Sequence, residues 1–498
     1  MILNKLIMKR IILLIGLVSI FLQAKAGENV INLRHHIPEY SYAVTTIHAQ
    51  AIDYNNKIES FNFRKNPYLL YPGKNTEMLI IWQLDGNTNC TLTWGETKNS
   101  LDNSITTTEE DGDHIHKILL TSLEPNTHYY YKVLISDDNY KYGNFITGKN
   151  DDAKNISFYA YGDTRNHPEK HDIVAQQVMN SIANDPSSQT FIVTTGDYVD
   201  NGDSESAWDS QFFNKNYPNI QEMLANLPYL AAMGNHEKQG VLFTKYFPYP
   251  MFEDRRYYSF DNGPVHIVIV DQYTDYTKGS KQHNWLENDL ATNNKKWKIV
   301  LLHEPGWSAR YHPNNVDVQN IIQPLCVKYG VQFVLTGHNH YYARAVVDNV
   351  YHITTGGGGA PLSNPKPNSD KIVIYDKSYH FCKLDIKDEV LSFSAIRSDG
   401  TSIETFDYPF KPLSNESNDL SIESDFKVYS SNNSIIIEKS INQKANVEVF
   451  DLWGKSIKQK QILYKENIIQ LNNNGIYFLR ITRKGYLLFL RLYFNLTH

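Results

Sequence analysis

Residues 191–203 read FIVTTGDYVDNGD, and this stretch decides the fold of the central part of the chain. Its first half, FIVTT, is a run of β-branched and apolar residues of the kind that forms a buried strand. A glycine ends the run, and three carboxylates come after it at Asp197, Asp200 and Asp203. The pattern predicts a short strand, buried on both faces, with acidic groups at its carboxyl end.

Four other apolar runs between residues 150 and 411 also end in polar, chemically active residues, and helix-like stretches alternate with them. This alternation predicts an α/β domain, in which ligands bind beyond the carboxyl ends of the strands. The residues at the ends of the five runs are therefore predicted to meet on one rim. They are Asp163, Asp197, Asn235-His236-Glu237, His303 and His338-Asn339-His340.

Two aspartates, an asparagine and three histidines on one rim predict a metal site. Six ligands, including a carboxylate able to bridge, exceed the three or four protein ligands of a single catalytic zinc. A mixture of oxygen and imidazole ligands suits manganese, iron or zinc. The pattern therefore favours two ions, which together can hold a hydroxide nucleophile and neutralise a phosphate group.

The region before the central domain has a different pattern. Residues 67–149 read as short alternating strands separated by turns, which predicts a β-sandwich. Alternation in the segment LEPNTHYYYKV places Tyr129, Tyr131 and Val133 on one face. The segment resembles the tyrosine corner of a fibronectin type III domain, with Trp82 filling the core.

The region after the central domain begins with a polar linker at residues 412–424 and continues as a small β module at residues 425–498. This module resembles the C-terminal sorting domain of type IX secretion cargo in the segments 447–455 and 475–478. The resemblance implies that the type IX secretion machinery is a partner. An ordinary C-terminal β accessory domain is the alternative interpretation.

The first 26 residues predict an export signal, because a basic start precedes an apolar run and a small-x-small end, Ala24-Lys25-Ala26. Residues 27–66 are predicted to be an N-terminal extension. The apolar run is short for a membrane span, and no other segment approaches twenty apolar residues. The mature protein is therefore predicted to lack a transmembrane span and to be secreted, either to the cell surface or to the medium.

The net charge and the cysteine content further limit the classes of protein that the sequence fits. A net charge of −6 and a pI near 6.3 provide no basic surface for nucleic acid, so no nucleic-acid partner is predicted. Cys90, Cys326 and Cys382 lie far apart, without metal-site spacing. Isolated packed thiols are the favoured interpretation, and a single disulfide is the alternative.

The five strand ends of the central domain resemble the motifs of the calcineurin-like metallophosphoesterase superfamily. The preceding fibronectin-like region, with the segments LLHEPGW and GHNHYYAR, makes the purple acid phosphatase branch the nearest relative. The resemblance implies an α/β metallophosphoesterase sandwich, two β-sheets flanked by helices. The motifs are Gly162-Asp163, Gly196-Asp197, Gly234-Asn235-His236-Glu237, His303 and Gly337-His338-Asn339-His340.

The resemblance also implies a role for each residue. His236 would contact the phosphate or protonate the leaving group, and Glu237 would orient it. His312, in the segment SARYHPNN, would be another substrate-facing histidine, with surface decoration as the alternative. The metal ligands would be Asp163, Asp197 and His340 for the first ion and Asp197, Asn235, His303 and His338 for the second, with Asp197 as the bridge.

Two positions depart from the family pattern. Purple acid phosphatases have a tyrosinate ligand where this chain has Asp200, and other members have a histidine where it has Arg165. The fourth ligand of the first ion is therefore open among Asp200, His167, His171 and water, and the purple colour is not expected. Arg165 is predicted to clamp a phosphate of the substrate, with a structural ion pair as the alternative.

The sequence therefore predicts a secreted phosphoesterase that hydrolyses small phosphomonoesters by attack of a metal-bound hydroxide. A phosphodiesterase or nucleotide hydrolase on the same centre is one alternative, and a non-catalytic surface-binding protein with a degraded site is another. The glycine tract at residues 354–362, TTGGGGAPL, lacks the Lys-Ser/Thr of a nucleotide-binding loop. It is interpreted as backbone that passes close to the metal rim, where side chains would clash.

Overall fold

The computed structural model describes residues 61–408, except residues 111, 253–255, 368 and 370, together with strands between residues 426 and 494. The predicted signal peptide and linker, and most of the predicted N-terminal extension, lie outside the described residues. No helix within the described ranges has both the length and the apolar character needed to cross a membrane.

The secondary-structure elements are numbered in chain order. The strands are β1 (Phe63–Leu70), β2 (Met78–Leu84), β3 (Cys90–Gly95), β4 (Asn103–Thr107), β5 (Ile115–Leu120), β6 (His128–Ser136), β7 (Asn139–Ile146), β8 (Asn155–Tyr161), β9 (Ile192–Thr194), β10 (Tyr229–Ala231), β11 (Tyr258–Asn262), β12 (Val265–Ile269), β13 (Trp297–Leu301), β14 (Phe333–Thr336), β15 (Tyr342–Val347), β16 (Val350–Thr355), β17 (Ile372–Asp376), β18 (His380–Lys387), β19 (Val390–Arg397), β20 (Ser402–Tyr408), β21 (Phe426–Ser431), β22 (Ser434–Lys439), β23 (Ala445–Phe450), β24 (Ser456–Ile462), β25 (Glu466–Gln470), β26 (Gly475–Arg483) and β27 (Tyr486–Phe494). The α-helices are α1 (Pro168–Asn184), α2 (Glu205–Ser210), α3 (Pro218–Asn226), α4 (Val241–Tyr246), α5 (Lys281–Thr292) and α6 (Gln323–Tyr329).

Two large sheets form the centre of the protein. One has the strand order β20-β19-β18-β8-β9-β10-β1-β2-β5, and the other has the order β11-β12-β13-β14-β16-β15-β17. Strands β8, β9 and β10 pair in parallel, and so do β12, β13, β14 and β16. The carboxyl ends of parallel neighbours lie at one edge of each sheet, and the predicted site residues begin at that edge.

Alternation along the strands explains how the sheets are covered. Phe333 of β14 stacks on Phe393 of β19 and on Phe406 of β20, between the two sheets. The next residue, Val334, belongs to the core shared with α5 and α6 on the opposite face. Strands buried on both faces read as continuous apolar runs. The predicted fold, two β-sheets flanked by helices, is confirmed.

The N-terminal β-sandwich packs β1, β2 and β5 against a second sheet of order β4-β3-β6-β7. Its core contains Trp82, Tyr131 and Val133. The hydroxyl of Tyr129 accepts a hydrogen bond from the amide of Glu124 at 3.0 Å, which is the bond expected of a tyrosine corner. The predicted β-sandwich is present here.

The sandwich is not separate from the central domain. Strand β1 begins before residue 67, the predicted start of the domain, and it pairs in parallel with β10 through Leu70 and Tyr229. Three strands of the sandwich therefore continue the nine-stranded sheet of the central domain. This junction was not predicted, because a pattern of alternation shows that a strand exists but does not show its partner.

A buried cation lies at this junction. The side chain of Lys65 on β1 is 0% exposed, and its Nζ donates to Asp209 Oδ1 at 2.6 Å and to Gln83 Oε1 at 2.6 Å. Asp209 belongs to α2 of the central domain, whereas Gln83 belongs to β2 of the sandwich. Through these two bonds, Lys65 links the sandwich to the central domain. The link lies just beyond the loop that carries Asp197.

The C-terminal strands form two antiparallel sheets, with the orders β21-β22-β25 and β24-β23-β26-β27. On β23, Val447 and Val449 are buried whereas Asn446 is exposed, so the strand has one buried face. The three cysteines of the chain are all buried and unpaired, so the interpretation as isolated packed thiols is confirmed.

Candidate active site

The predicted site residues meet where the two sheets present their carboxyl ends side by side. The loops after β8, β9 and β10 come from one sheet, and the loops after β13 and β14 come from the other. Ligand atoms of Asp163, Asp197 and His303 lie within 4.8 Å of one another, and all three residues are buried. The rim predicted from the strand ends is therefore present in the fold.

The backbone at this rim is strained. Three predicted ligands, Asp163, Asp197 and His338, have φ angles of 58°, 59° and 66°, in the left-handed region that side chains other than glycine rarely adopt. Such residues persist only where the surrounding structure holds them, and they are concentrated at functional sites. The left-handed turns direct the residues at the ends of successive strands toward the same part of the rim.

Glycines allow the strand ends to approach one another. A Cβ added to Gly234 would lie 2.3 Å from Asp197 Oδ1, and one added to Gly337 would lie 2.3 Å from Asp163 Oδ2. A Cβ on Gly358, within the glycine tract, would lie 2.4 Å from the carbonyl of Gly162. The tract therefore packs directly behind the first aspartate, as the sequence interpretation expected.

The second metal position has a compact set of donors. Asn235 Oδ1 lies 3.1 Å from His303 Nε2 and 3.0 Å from His338 Nδ1, and these two ring nitrogens lie 3.3 Å apart. Asp197 Oδ1 lies 3.4 Å from His303 Nε2. Atoms that share one ion at about 2.0–2.2 Å are separated by roughly 3.0–3.5 Å, so each of these four contacts has the spacing of two ligands of one ion.

Backbone carbonyls orient two of the histidines. His303 Nδ1 donates to the carbonyl of Thr195 at 2.7 Å, and His340 Nδ1 donates to the carbonyl of Pro361 at 2.8 Å. Each bond leaves Nε2 as the nitrogen that can face a metal ion. The sequence analysis missed both carbonyl partners, because a main-chain acceptor leaves no signal in the residue type.

The first metal position contains an additional side chain. Asp163 Oδ1 lies 3.6 Å from His340 Nε2, and both carboxylate oxygens of Asp163 accept from the amide of His338 at 3.0 Å. Arg165 lies among these ligands, with Nε 3.4 Å from Asp197 Oδ2 and Nη2 3.2 Å from His340 Nε2. The donors suit a first ion, but the guanidinium occupies two of them.

At the second position, a proton on His303 balances the charge of Asp197, and a metal ion could replace that proton. Burial opposes a charge on His303, but the adjacent Asp197 carboxylate raises the pKa of His303 to about 10. Burial and the neighbouring His303 lower the pKa of His338 to about 2, so His338 is a neutral ligand. A cation bound here would compensate Asp197 in place of the His303 proton, so metal binding would release that proton.

Charges at the first position show the influence of Arg165. Burial and the Arg165 cation lower the pKa of His340 to about 4, so its ring is neutral. Burial raises the pKa of Asp163 to about 7, and the nearby Asp197 acts in the same direction. A nearby cation strongly stabilises the charged form of a buried carboxylate whose pKa is raised.

His236 lies beside the bridging carboxylate. Its Nδ1 donates to the carbonyl of Asp200 at 2.6 Å, and its Nε2 lies 3.8 Å from Asp197 Oδ2. The side chain is 23% exposed, so the ring is partly open to solvent. The geometry suits a group that meets the substrate above the metal positions.

The structure corrects the role predicted for Glu237. Its buried carboxylate accepts hydrogen bonds from the amides of Asp197, Tyr198 and Gly234, at 2.9, 2.9 and 2.7 Å. The carbonyl of Asp200, rather than Glu237, holds the His236 ring. Glu237 therefore fixes the loop that carries Asp197. Burial raises its pKa to about 7, and the charge of Asp197 adds to this effect.

The residues considered as a fourth ligand do not face the first position. The carboxylate of Asp200 accepts from Gln211 Nε2 at 2.6 Å and is exposed, which corrects the possibility that it is a ligand. His171 is a buried residue of α1 that bonds the hydroxyl of Tyr161 at 2.8 Å, and His167 pairs with Glu169. Of the side chains in the described part of the chain that are not proposed ligands, that of Arg165 contacts the ligands of the first position.

His312 is brought to the rim by a strained loop. Its ring centroid lies 4.1 Å from that of His338, and its amide donates to Asn339 Oδ1 at 2.9 Å. Arg310 and Tyr311 before it have φ angles of 72° and 86°. Burial lowers the pKa of His312 below its ordinary value. Sequence reasoning assigned no role to Asn339, although its place between two metal-ligand histidines was a usable signal.

Family comparisons agree with the fold. Residues 157–342 match the profile described as Calcineurin-like phosphoesterase, so the chain contains a calcineurin-like phosphoesterase domain. Residues 65–149 match the Purple acid Phosphatase, N-terminal domain, which precedes the phosphoesterase domain in this chain. Residues 430–491 match the Secretion system C-terminal sorting domain.

Individual relatives lead to the same group. The chain is 32% identical over 166 residues to purple acid phosphatase 18 of Arabidopsis thaliana, covering 28% of this chain and 38% of the relative. It is 25% identical to Fe(3+)-Zn(2+) purple acid phosphatase 12 of the same species, covering 50% of this chain and 56% of the relative. The first curated relatives are matched over about a third to two thirds of their length.

A solved structure shows the same fold. The purple acid phosphatase isolated from yellow lupin (Lupinus luteus) seeds superposes with a TM-score of 0.58 at 21% identity, covering 68% of this chain and 73% of that chain. Its coverage extends beyond the central domain alone, in agreement with the sheet that joins the sandwich to that domain.

Proposed function

We propose that the protein is an exported phosphoesterase that hydrolyses phosphomonoesters at a centre of two metal ions. The observation that carries the proposal is the convergence of Asn235 Oδ1, His303 Nε2 and His338 Nδ1, separated by 3.0–3.3 Å, beside the carboxylate of Asp197. The ligand chemistry suits iron, zinc or manganese. The name of the Fe(3+)-Zn(2+) relative supports iron and zinc in particular.

When bound, the ions would supply a nucleophile from water and neutralise the charge of the phosphate. The chain's own residues would supply the remaining functions. His236 Nε2, on the open side of Asp197, would donate a proton to the leaving oxygen. Its Nδ1 bond to the Asp200 carbonyl keeps the ring in the orientation that presents Nε2. His312 would contact the phosphate from the opposite loop.

Export is part of the proposal. The predicted signal peptide and the match to a secretion-system sorting domain support passage through the type IX secretion machinery to the cell surface or medium. Fractionation of cells that produce the full chain tests this step. Retention of the chain inside those cells would contradict it.

The activity is tested with purified protein, mono- and bis-nitrophenyl phosphate, and manganese, zinc, iron or magnesium. We expect turnover of the monoester with at least one of the first three metals. Asp197→Asn should lower kcat by more than the ~100-fold that loss of an outer-shell partner costs, since Asp197 would ligate both ions.

Asp203→Asn is the matched control, because Asp203 is an exposed aspartate in the same loop. It should retain full activity. Turnover of the diester with little turnover of the monoester would replace the proposal by the phosphodiesterase alternative. No turnover of either ester with any of the metals would exclude both enzyme hypotheses. The hypothesis of a non-catalytic surface-binding protein would then remain.

A further inference from the structure

The position of Arg165 bears on how many ions the site retains. Its side chain is 14% exposed and lies between the two sheets' ligands, with Nε 3.4 Å from Asp197 Oδ2 and Nη2 3.2 Å from His340 Nε2. These two atoms belong to residues that would hold the first ion. Arg165 is the second residue after Asp163, so the ligand loop itself carries it into the site.

The atoms that Arg165 binds are the ones a first ion would need. His340 Nδ1 is committed to the carbonyl of Pro361, so Nε2 is the ring nitrogen left to coordinate a metal. Asp197 Oδ1 accepts from the amide of His236 at 3.0 Å and faces His303, so Oδ2 is the oxygen directed to the first position. The guanidinium and the first ion therefore require the same donors.

Charge adds to this competition. A guanidinium stays protonated in proteins, so Arg165 is a permanent cation within the first ligand set. Two like charges a few ångströms apart repel strongly in a site that is mostly shielded from water. The second position differs, because Asn235, His303 and His338 contact one another and none of the described contacts of Arg165 involves them.

We propose that the two metal positions are unequal, and that Arg165 is the cause. The second position retains one ion, whereas the first is occupied only when the metal concentration is high enough to displace the guanidinium from Asp197 and His340. A displaced guanidinium would remain beside the site, where its planar fork could bind phosphate oxygens. The inference rests on the proposed metal-dependent function and assigns a metal-regulating role to Arg165.

Metal stoichiometry tests the inference without reference to activity. The full chain is loaded with zinc or manganese, dialysed against a low free concentration of the same metal, and measured by plasma mass spectrometry. We expect about one ion per chain in the wild type and about two in Arg165→Ala at the same free metal concentration. Calorimetric titration of the wild type should show two affinities that differ at least tenfold, and the difference should shrink in Arg165→Ala.

Matched variants separate charge from shape. Arg165→Lys retains the positive charge and should stay near one ion, whereas Arg165→Gln should behave like Arg165→Ala and serves as a second neutral variant. Arg397→Ala removes an arginine that pairs with Asp376 and should leave the stoichiometry unchanged. His303→Ala should remove the retained ion, whereas His340→Ala should not.

The outcomes distinguish the two proposals. Two tightly held ions in the wild type, or a single ion in both Arg165→Ala and Arg165→Gln, would overturn the inference while leaving the proposed function in place. A wild-type chain that binds none of the metals would overturn the proposed function and the inference together.

Discussion

The proposed role of His236 can be separated from metal binding by experiment. Its amide donates to Asp197 Oδ1 and its ring to the carbonyl of Asp200, so its Nε2 is placed by the backbone of the metal loop. General acid catalysis matters most when the leaving group is a poor one, because a nitrophenolate departs without a proton and an alkoxide does not.

His236→Ala is therefore expected to lower kcat by about 10²-fold or more for an alkyl phosphate, and by much less for nitrophenyl phosphate. Metal content should be unchanged. His167→Ala is the matched control, since the side chain of His167 is 43% exposed and its ring pairs only with Glu169 among the described contacts. An equal loss of kcat on both substrates would argue for a positioning role instead of proton donation.

Glu237 shows the limit of residue-by-residue transfer from a family. The sequence placed it next to His236 and predicted that it orients that ring, whereas its carboxylate binds three backbone amides. Adjacent residues in a tight turn point in different directions, and a motif read as letters does not record the direction. The proximity of the proposed ligand residues was predictable because the carboxyl ends of neighbouring strands bring the residues just beyond them to one edge of the sheet.

Among the secondary-structure elements, β12 and α5 are joined by a buried histidine. His266 on β12 lies 2.7 Å from Asp261 Oδ1 on β11 and 2.8 Å from Asp289 Oδ2 on α5. Burial disfavours a charge on His266, but the bonds to the two carboxylates outweigh it and raise the pKa of His266 above its ordinary value. The charged form therefore stabilises the packing of the helix on the sheet.

Because folding raises the pKa of His266, its contribution to the free energy of unfolding is predicted to fall as pH rises. A group whose pKa is raised on folding contributes fully below its unfolded value, about 6.5, and loses the contribution as pH rises through the folded pKa. His266→Gln should therefore destabilise the protein more at pH 6 than at pH 9, by about 1–3 kcal/mol at the lower pH. Urea unfolding of both proteins across this range measures the difference.

His352→Gln provides the matched control. His352 is also buried, bonds Gln323, and has a pKa that burial lowers to about 3, so it is neutral throughout the range. Its destabilisation should be smaller at pH 6 than at pH 9, the opposite trend to His266→Gln, because at pH 6 the unfolded chain binds a proton at His352 that the folded protein does not. Equal effects of His266→Gln at pH 6 and pH 9 would show that folding does not raise the pKa of His266.

The elements themselves were largely predictable from the sequence. Runs such as FIVTTG and VQFVLTG give continuous apolar strands because both faces of each sheet are covered. The pairing of β1 with β10 was not predictable, because it joins residues far apart in the chain through a single parallel contact, Leu70 with Tyr229. The contact of Arg165 with His340 was missed for the same reason, since only the folded chain brings them together.

On the scale of the whole molecule, the buried Lys65 joins the sandwich to the central domain. Its Nζ lies 2.6 Å from Asp209 Oδ1 and 3.7 Å from Glu205 Oε2, and burial lowers its pKa to about 8 despite the bond to Asp209. Because β1 also continues the central sheet, the two domains are expected to unfold in one transition.

Lys65→Ala is expected to lower the free energy of unfolding by about 2–3 kcal/mol. This is less than the ~3–5 kcal/mol for a fully buried pair, because Asp209 is 31% exposed and retains Arg64. Lys74→Ala, which removes a 70% exposed lysine paired with Glu77, should change it by about 0.5 kcal/mol or less. Two separate transitions in the wild type, or equal effects of the two variants, would contradict this coupling.

The three buried cysteines determine how this protein responds to redox conditions. Cys90, Cys326 and Cys382 are 2%, 0% and 0% exposed, and burial raises the pKa of Cys382 to about 12. Alkylating agents and oxidants attack the thiolate, which these sites neither form nor expose at neutral pH. Formation of the native state therefore requires no disulfide bond, and we expect the same fold in a reducing and an oxidising environment.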